Sequence, residues 1–421
     1  MTKNQNREDF LFYHKKAMQF CRESDFFAAI KYFTKAIEKN SKSADAHYNR
    51  ALAYQKLENY DAAIADYTKA VMIAPEHFQA FNNRGLAFRE QKKFKNAIDD
   101  FGKSTSVNPS FAEGYWNKAL THLMIEDYES AWRLYEHRWK TPNFTSVKRC
   151  FSQPLWLGKD SLLGKTILLH SEQGLGDTIQ FCRYVRKFDD LCCTVYLEVE
   201  KPLVRLMETL LPKSQIFEKG SELPKFHYHC PLMSLPLAFQ TKSDNIPCQI
   251  PYLRGSSNRA QWWQKQLGPK IMPRVGIAWQ GNPSHSKNHK RSMPLPDIIN
   301  DLSPNFDWYS LQIQVSDEDK NIIKNSGKIT HFGEKIGDFA ETAALCSVLD
   351  AVICVDTSIA HLSGAIGRPV YLLLAYVADA RWHDLRSDSP WYTSLCIHRQ
   401  EKDKQWQKPL LSAQNQLLQS L

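Results

Sequence analysis

Large apolar and small residues recur along the first third of the chain every 34 positions. Tyr13, His47, Phe81 and Tyr115 mark one register, and Ala17, Ala51, Gly85 and Ala119 a second. Phe26, Tyr60, Phe94 and Tyr128 form a third, Ala29, Ala63, Ala97 and Ala131 a fourth, and Phe33, Tyr67, Phe101 and Tyr135 a fifth. A repeat of this length holds two helices, with small residues where they cross and aromatics filling the space between pairs. The spacing predicts four helix pairs over residues 1–141, with Pro75 and Pro109 ending the second helix of their repeats. Stacked pairs make an α-solenoid whose concave groove is a binding surface rather than a catalytic one.

Beyond Pro142 the period breaks. Residues 142–164 are expected to form a packed linker, because Trp132, Trp139 and Trp156 surround a stretch rich in Pro, Ser and Thr. From Lys165 strands and helices alternate. KTILLH, CCTVYLEV and HYHCPL read as strands of a first α/β half over residues 165–255, with helices in DTIQFCRYVRKF and PLVRLMETLL. RVGIAW, DWYSLQ, ITHF, AVICV and PVYLLLA read as strands of a second half over residues 256–421. AVICV and PVYLLLA are too continuously apolar for half-exposed strands, so they belong to a parallel sheet covered on both faces. The predicted fold class is an α-solenoid followed by two Rossmann-type α/β domains, with ligands at the strands' carboxyl ends.

Three loops carry candidate chemistry. HSEQGLGDTIQF follows the first strand, where Gly174 and Gly176 allow a tight turn and Asp177 heads a helix. The pattern is not G-x-G-x-x-G, which counts against dinucleotide oxidoreduction. Asp177 is a helix cap or a general base, and Glu172 on the same loop is the rival base. In VGIAWQGNPSHSKNHKRSMPL a strand ends at Trp279 and a loop carries Lys287, Lys290 and Arg291, cations suited to phosphate or simply solvated. In AVICVDTSIAHLSGAIGRP, Asp356, Thr357 and Ser358 open a helix bearing His361, a corner whose free N–H groups suit an anion or merely cap the helix. Trp279, Arg381 and Trp382 are candidate walls of a ligand pocket, with ordinary packing as the alternative for the tryptophans. In the solenoid, Asn49, Asn83 and Asn117 form a row of amides at the repeat period, able to grip the backbone of an extended peptide. Asparagine is also commonplace at this position whatever such repeats bind. Arg50, Arg84 and Lys118 follow them, as groove charge or solvated flank.

Lys and Arg number 54 against 45 Asp and Glu, a modest excess without a nucleic-acid motif. The ten cysteines include no C-x-x-C and sit mostly in apolar runs, so no metal or redox centre is expected. MTKNQNREDF lacks a signal peptide's apolar core, and no apolar run approaches the length of a spanning helix, so a cytoplasmic protein without an integral membrane segment is expected.

The 34-residue pattern resembles a tetratricopeptide repeat array, with Ser41 replacing the first terminal proline and Ser104 the usual alanine. GLGDTIQF, the loop ending KRSMPL and VDTSIAHLSGAIGRPVYLL resemble the heptosyltransferase-like (glycosyltransferase family 9 type) inverting glycosyltransferases over about residues 165 to 400. The combination is similar to bacterial repeat-containing glycosyltransferases, including those that modify flagellins. The resemblance implies a GT-B fold, a nucleotide-sugar co-substrate held by the second half, and no cofactor or catalytic metal. It implies Asp177 as base, Lys290 or Arg291 on the diphosphate, and Asp356, Thr357, Ser358 and His361 on the nucleotide. The expected acceptor is a polypeptide held by the repeats, flagellin-like in the nearest parallel. A glycan or lipid-linked acceptor, or a non-catalytic scaffold with a vestigial cleft, are the alternatives.

Overall fold

A computed structural model describes residues 3–142, 144–172, 174–283 and 288–421 of the chain. Two compact units emerge, Met1–Phe144 and Thr145–Leu421.

The first unit is α1 (Lys3–Arg22), α2 (Phe26–Lys39), α3 (Ala44–Lys56), α4 (Tyr60–Ile73), α5 (Phe78–Glu90), α6 (Phe94–Val107), α7 (Ala112–Met124) and α8 (Tyr128–Tyr135). The repeat extends to the backbone of the turns. Ser24, Glu58, Lys92 and Glu126 all take left-handed φ values near 60° and end the first helix of each pair. The next position caps the second helix in three repeats: Asp25, Asn59 and Asp127 accept from the N–H groups of Ala28, Ala62 and Ser130, whereas Lys93 offers no cap. A close crossing falls at Gly85, where a Cβ would come within 2.8 Å of the Phe101 ring; Ala17, Ala51 and Ala119 serve at the equivalent positions.

Arg50 and Arg84 are neither groove charge nor solvated flank. Arg50 donates to both carboxylate oxygens of Asp66 and to Thr34, and Arg84 repeats the arrangement with Asp100 and Thr68. Each fork ties adjacent helix pairs together around a buried aspartate. The third register lacks the hydroxyl, and there the Lys118 ammonium lies over Gly102.

The second unit holds two parallel sheets. The smaller contains β1 (Thr166–His170), β2 (Thr194–Val199), β3 (Ile216–Glu218) and β4 (Tyr228–Pro231) in the order β3-β2-β1-β4. The larger contains β5 (Arg274–Ala278), β6 (Asp307–Ser310), β7 (Ile329–His331), β8 (Ala351–Val355), β9 (Val370–Leu374) and β10 (Leu395–Arg399) in the order β10-β9-β8-β5-β6-β7. This is the doubly wound order, reversing between β5 and β8. β5, β8 and β9 are buried at every residue, as their unbroken apolar runs require.

Several elements depart from the pattern read in the sequence. β3, of three residues, and β10, of five, are edge strands without a strong apolar signal. The helix expected across DTIQFCRYVRKF divides into α9 (Leu175–Phe181) and a tighter 3-10 segment, Cys182–Leu191. A terminal helix, Gln407–Ser420, follows β10. Leu410, Ala413 and Leu417 join the core of the larger one, and Ser420 hydrogen-bonds Tyr371 at 2.9 Å. Trp156 is buried against Phe188 and Phe239, with its backbone N–H donating to the His229 carbonyl and its indole N–H to the Asp160 carbonyl. Among the described residues no helix is long and apolar enough to cross a membrane.

Asp100→Ala would leave the Arg84 guanidinium without its carboxylate in a largely buried position. We expect a local loss of about 3 kcal/mol, read as faster amide exchange in α5 and α6 with the two sheets unaffected.

Candidate functional site

The smaller sheet's glycine loop meets the larger sheet's polar corner. α9 starts from Gly174, whose left-handed backbone (φ 54°) and missing Cβ are both required, because a Cβ would reach within 2.8 Å of Asp177 Oδ2. Two residues on, a Cβ at Gly176 would lie 2.8 Å from His361 Cδ2 and 3.5 Å from Ser358 Cα. The bare backbone of Gly176 therefore lets α9 rest on the helix Ser358–Ala365. Asp177, Asp356, Thr357, Ser358 and His361, carried by two separate sheets, are thereby brought together.

Arg381 stands at the centre. Its Nη1 is 2.6 Å from Asp177 Oδ1 and 3.0 Å from Gln180 Oε1, both on α9. Its Nε donates to Asp379 at 2.8 Å, and Nη1 lies 3.5 Å from His361 Nε2. His361 Nδ1 is 2.9 Å from the Tyr392 hydroxyl, and its ring stacks on Trp382. Thr357 caps the helix by accepting from the Ile359 N–H at 3.2 Å.

Burial sets the electrostatics. It pushes the Asp177 carboxyl up from its ordinary range, Arg381 pulls the other way, and Asp379 and Glu200 add to the rise. Asp356 is likewise raised by burial and Asp379, against Arg381, Trp382 and Arg291. Burial works against the Arg381 cation, yet Asp177, Asp379 and Asp356 hold it charged. Burial, with Arg381 and Arg183 nearby, drives His361 well below its usual value, so its ring is neutral. The arrangement pairs a carboxylate of raised basicity with a cationic, amide-rich rim, a combination able to accept a proton beside a bound anion.

Other candidates fall elsewhere. Trp279 is not a pocket wall: its indole is buried in the core of the larger sheet and donates to Asp319 at 3.0 Å, because its side chain turns inward from the end of β5. Trp382 is fully buried, so it backs His361 rather than presenting a face to a ligand. Of the two cations ahead of the helix, Arg291 lies against Gly281 and acts on Asp356, whereas Lys290 is exposed. Lys287 lies outside the described residues. Glu172 is buried, with its carboxylate accepting the Met233 N–H at 3.2 Å, a tie between β1 and the segment after β4.

Sequence reading missed Arg183 and Tyr252. Arg183 is fully buried, with its guanidinium over the rings of Tyr252, Trp391 and Tyr392, and it donates to Tyr252 Oη and the Trp391 carbonyl. Such desolvated cation–aromatic contacts are worth about 2 kcal/mol each, and these bind the segment after α9 to the larger sheet. The only signal was an arginine amid apolar residues in FCRYV.

In the solenoid, the amide row is a connected chain. Asn117 donates to Asn82, Asn82 to Asn83, and Asn83 to the Tyr48 hydroxyl. Asn82 and Tyr48 are the unforeseen members, and Asn49 is not among the links.

Comparison with known proteins agrees with the repeat architecture. Residues 44–77 and 78–111 each match the tetratricopeptide repeat family. Protein FlbA of Caulobacter vibrioides is 24% identical over 307 residues, which cover 66% of this chain and 50% of that protein. The chain thus spans half the length of this relative. Among solved structures, the Arabidopsis OM64 TPR domain is 26% identical, with coverage of 28% of this chain and 96% of that one and a TM-score of 0.27. The second TPR domain of human RPAP3, in complex with an HSP70 peptide, is 24% identical, with coverage of 28% and 97% and a TM-score of 0.27. The N-terminal unit is a tetratricopeptide repeat solenoid, and the parallel α/β region beyond it is compatible with an enzyme domain.

His361 is not the only histidine held neutral: burial, with His229, Arg149 and Lys219 nearby, pushes His170 down to about 3. Below the ordinary value of 6.5 the unfolded chain binds protons that the native chain refuses. Stability from each histidine is therefore complete above that pH and declines on acidification, by about 1.4 kcal/mol per pH unit. Melting temperature should fall between about pH 7.5 and about pH 5.5, and His170→Gln should flatten the decline if the variant remains folded.

Proposed function

We propose that the α/β region is an inverting glycosyltransferase of GT-B arrangement that moves a sugar from a nucleotide-diphosphate donor to an acceptor hydroxyl. The observation carrying this reading is the meeting of Asp177, from the loop after β1, with the Asp356 to Ser358 corner after β8 around one guanidinium. Both loops leave carboxyl ends of parallel strands, where ligands of such sheets bind.

In this mechanism the acceptor hydroxyl gives its proton to Asp177 as its oxygen attacks the anomeric carbon. The bond from that carbon to the diphosphate oxygen breaks on the opposite face, and the departing diphosphate keeps the electron pair. Configuration inverts. Arg381, Arg291 and the N–H groups opening the helix Ser358–Ala365 meet the growing negative charge, help worth about 3 kcal/mol per well-placed donor. Asp177 is favoured over Glu172 because Glu172 is committed to the Met233 N–H. The repeats would recruit a polypeptide along Asn117 and Asn83, held in place by the buried Asn82 between them, and the two outer amides retain further donors and acceptors for an extended backbone.

Asp177→Ala should lower nucleotide-sugar turnover by about 10²- to 10⁴-fold without weakening donor binding, measured by release of nucleoside diphosphate from a panel of sugar nucleotides. Equal turnover in the two proteins would leave a scaffold. Asn83→Ala with Asn117→Ala should abolish transfer to a protein acceptor without changing donor hydrolysis, and unchanged transfer would remove the groove from the account.

A further inference from the structure

We propose that Arg381 masks Asp177 until the donor's diphosphate draws it off, so that the carboxylate is released as a base only once the donor is bound. The inference rests on the transferase reading in taking the anion to be the donor's diphosphate.

Arg381 lies in the 3-10 turn Ala380–Trp382, outside the sheet and the longer helices. Its Nη1 contacts with Asp177 and Gln180 reach α9, whereas its Nε bond to Asp379 lies within its own turn. Pivoting about Asp379 would break the contacts with α9 and keep the local one. The Arg381 side chain is about one-fifth exposed, against 15% for that of Asp177, so an anion can approach it from solvent. Three carboxylates, Asp177, Asp379 and Asp356, act on this cation. Arg291 is the other cation acting on Asp356. A diphosphate offers several oxygens in a geometry matching a guanidinium fork, so it competes well against the single Asp177 oxygen.

Release alters Asp177 in the useful direction. The groups acting on it are Arg381, Asp379 and Glu200, with His361 and Gln180 around the arginine. With Arg381 withdrawn, burial and the two acidic neighbours remain, and all three favour proton uptake. The base is thus quiet beside water and strengthened beside donor.

The test uses inorganic pyrophosphate as the probe, titrated calorimetrically into the full chain without divalent cations. Removing the competing carboxylate should tighten binding, so Asp177→Asn is expected to bind pyrophosphate about fivefold more tightly than wild type. Arg381→Gln should weaken it about tenfold, and Arg381→Lys should fall between. A general folding defect moves none of these toward tighter binding, and Asp177→Ala provides the same comparison should the amide misfold. Equal or weaker binding by folded Asp177 variants, or no binding by any protein, overturns the mask. Because no turnover is read, tighter binding by Asp177→Asn in a protein that consumes no sugar nucleotide would keep the mask and remove the transferase reading.

Discussion

The guanidinium of Arg381, held between carboxylates that two parallel sheets supply, is the contact on which the candidate site depends. It joins Asp177 and Gln180 of α9 to Asp379 and, through His361, to the helix after β8. A charge in this position loses hydration, a cost that its several carboxylate partners offset only if the geometry is maintained. Geometry here is maintained by packing. Gly176 removes the Cβ that would hold α9 away from His361, and Arg183 fastens the following segment beneath Tyr252, Trp391 and Tyr392.

The same constraint explains why two ordinary α/β motifs acquire chemistry by meeting. A glycine turn with an aspartate, taken alone, is a helix start; a Thr-capped helix after a buried strand is equally commonplace. Brought together, they surround a common cation with half-buried acids, Asp177 and Asp356, whose affinity for protons rises. The solenoid follows an analogous economy, in which Arg50 and Arg84 are consumed by Asp66 and Asp100 within their own repeats and by Thr34 and Thr68 of the preceding ones. The amide chain links Asn117 to Asn83 through the buried Asn82.

Periodicity made the solenoid legible, because each repeat reuses one set of contacts and the 34-residue spacing survives in small and aromatic residues alike. The central strands of the larger sheet were legible because burial on both faces demands unbroken apolar runs, as in AVICV. β3 and β10 were not, since β3 has only three residues and β10 (LCIHR) ends in polar ones, so neither carries an unbroken apolar run. Within the site, the two loops could be read from glycine, aspartate and helix-capping patterns, but their partners could not. Nothing local distinguishes Arg381 from a surface arginine or Trp279 from a pocket wall; the direction of each side chain is decided by contacts between distant segments. Asn82 was missed for a related reason: it falls one residue outside the periodic asparagine row, and its role arises only from the side-chain bonds to Asn83 and Asn117.

The central claim is that Asp177 and Arg381 interact directly across the two sheets. A double-mutant cycle with Asp177→Asn, Arg381→Gln and the combined variant, read on the unfolding transition of the α/β region, measures that interaction without reference to any ligand. The account predicts a coupling energy above about 1 kcal/mol, the double variant being less destabilised than the sum of the singles. Strict additivity would contradict it.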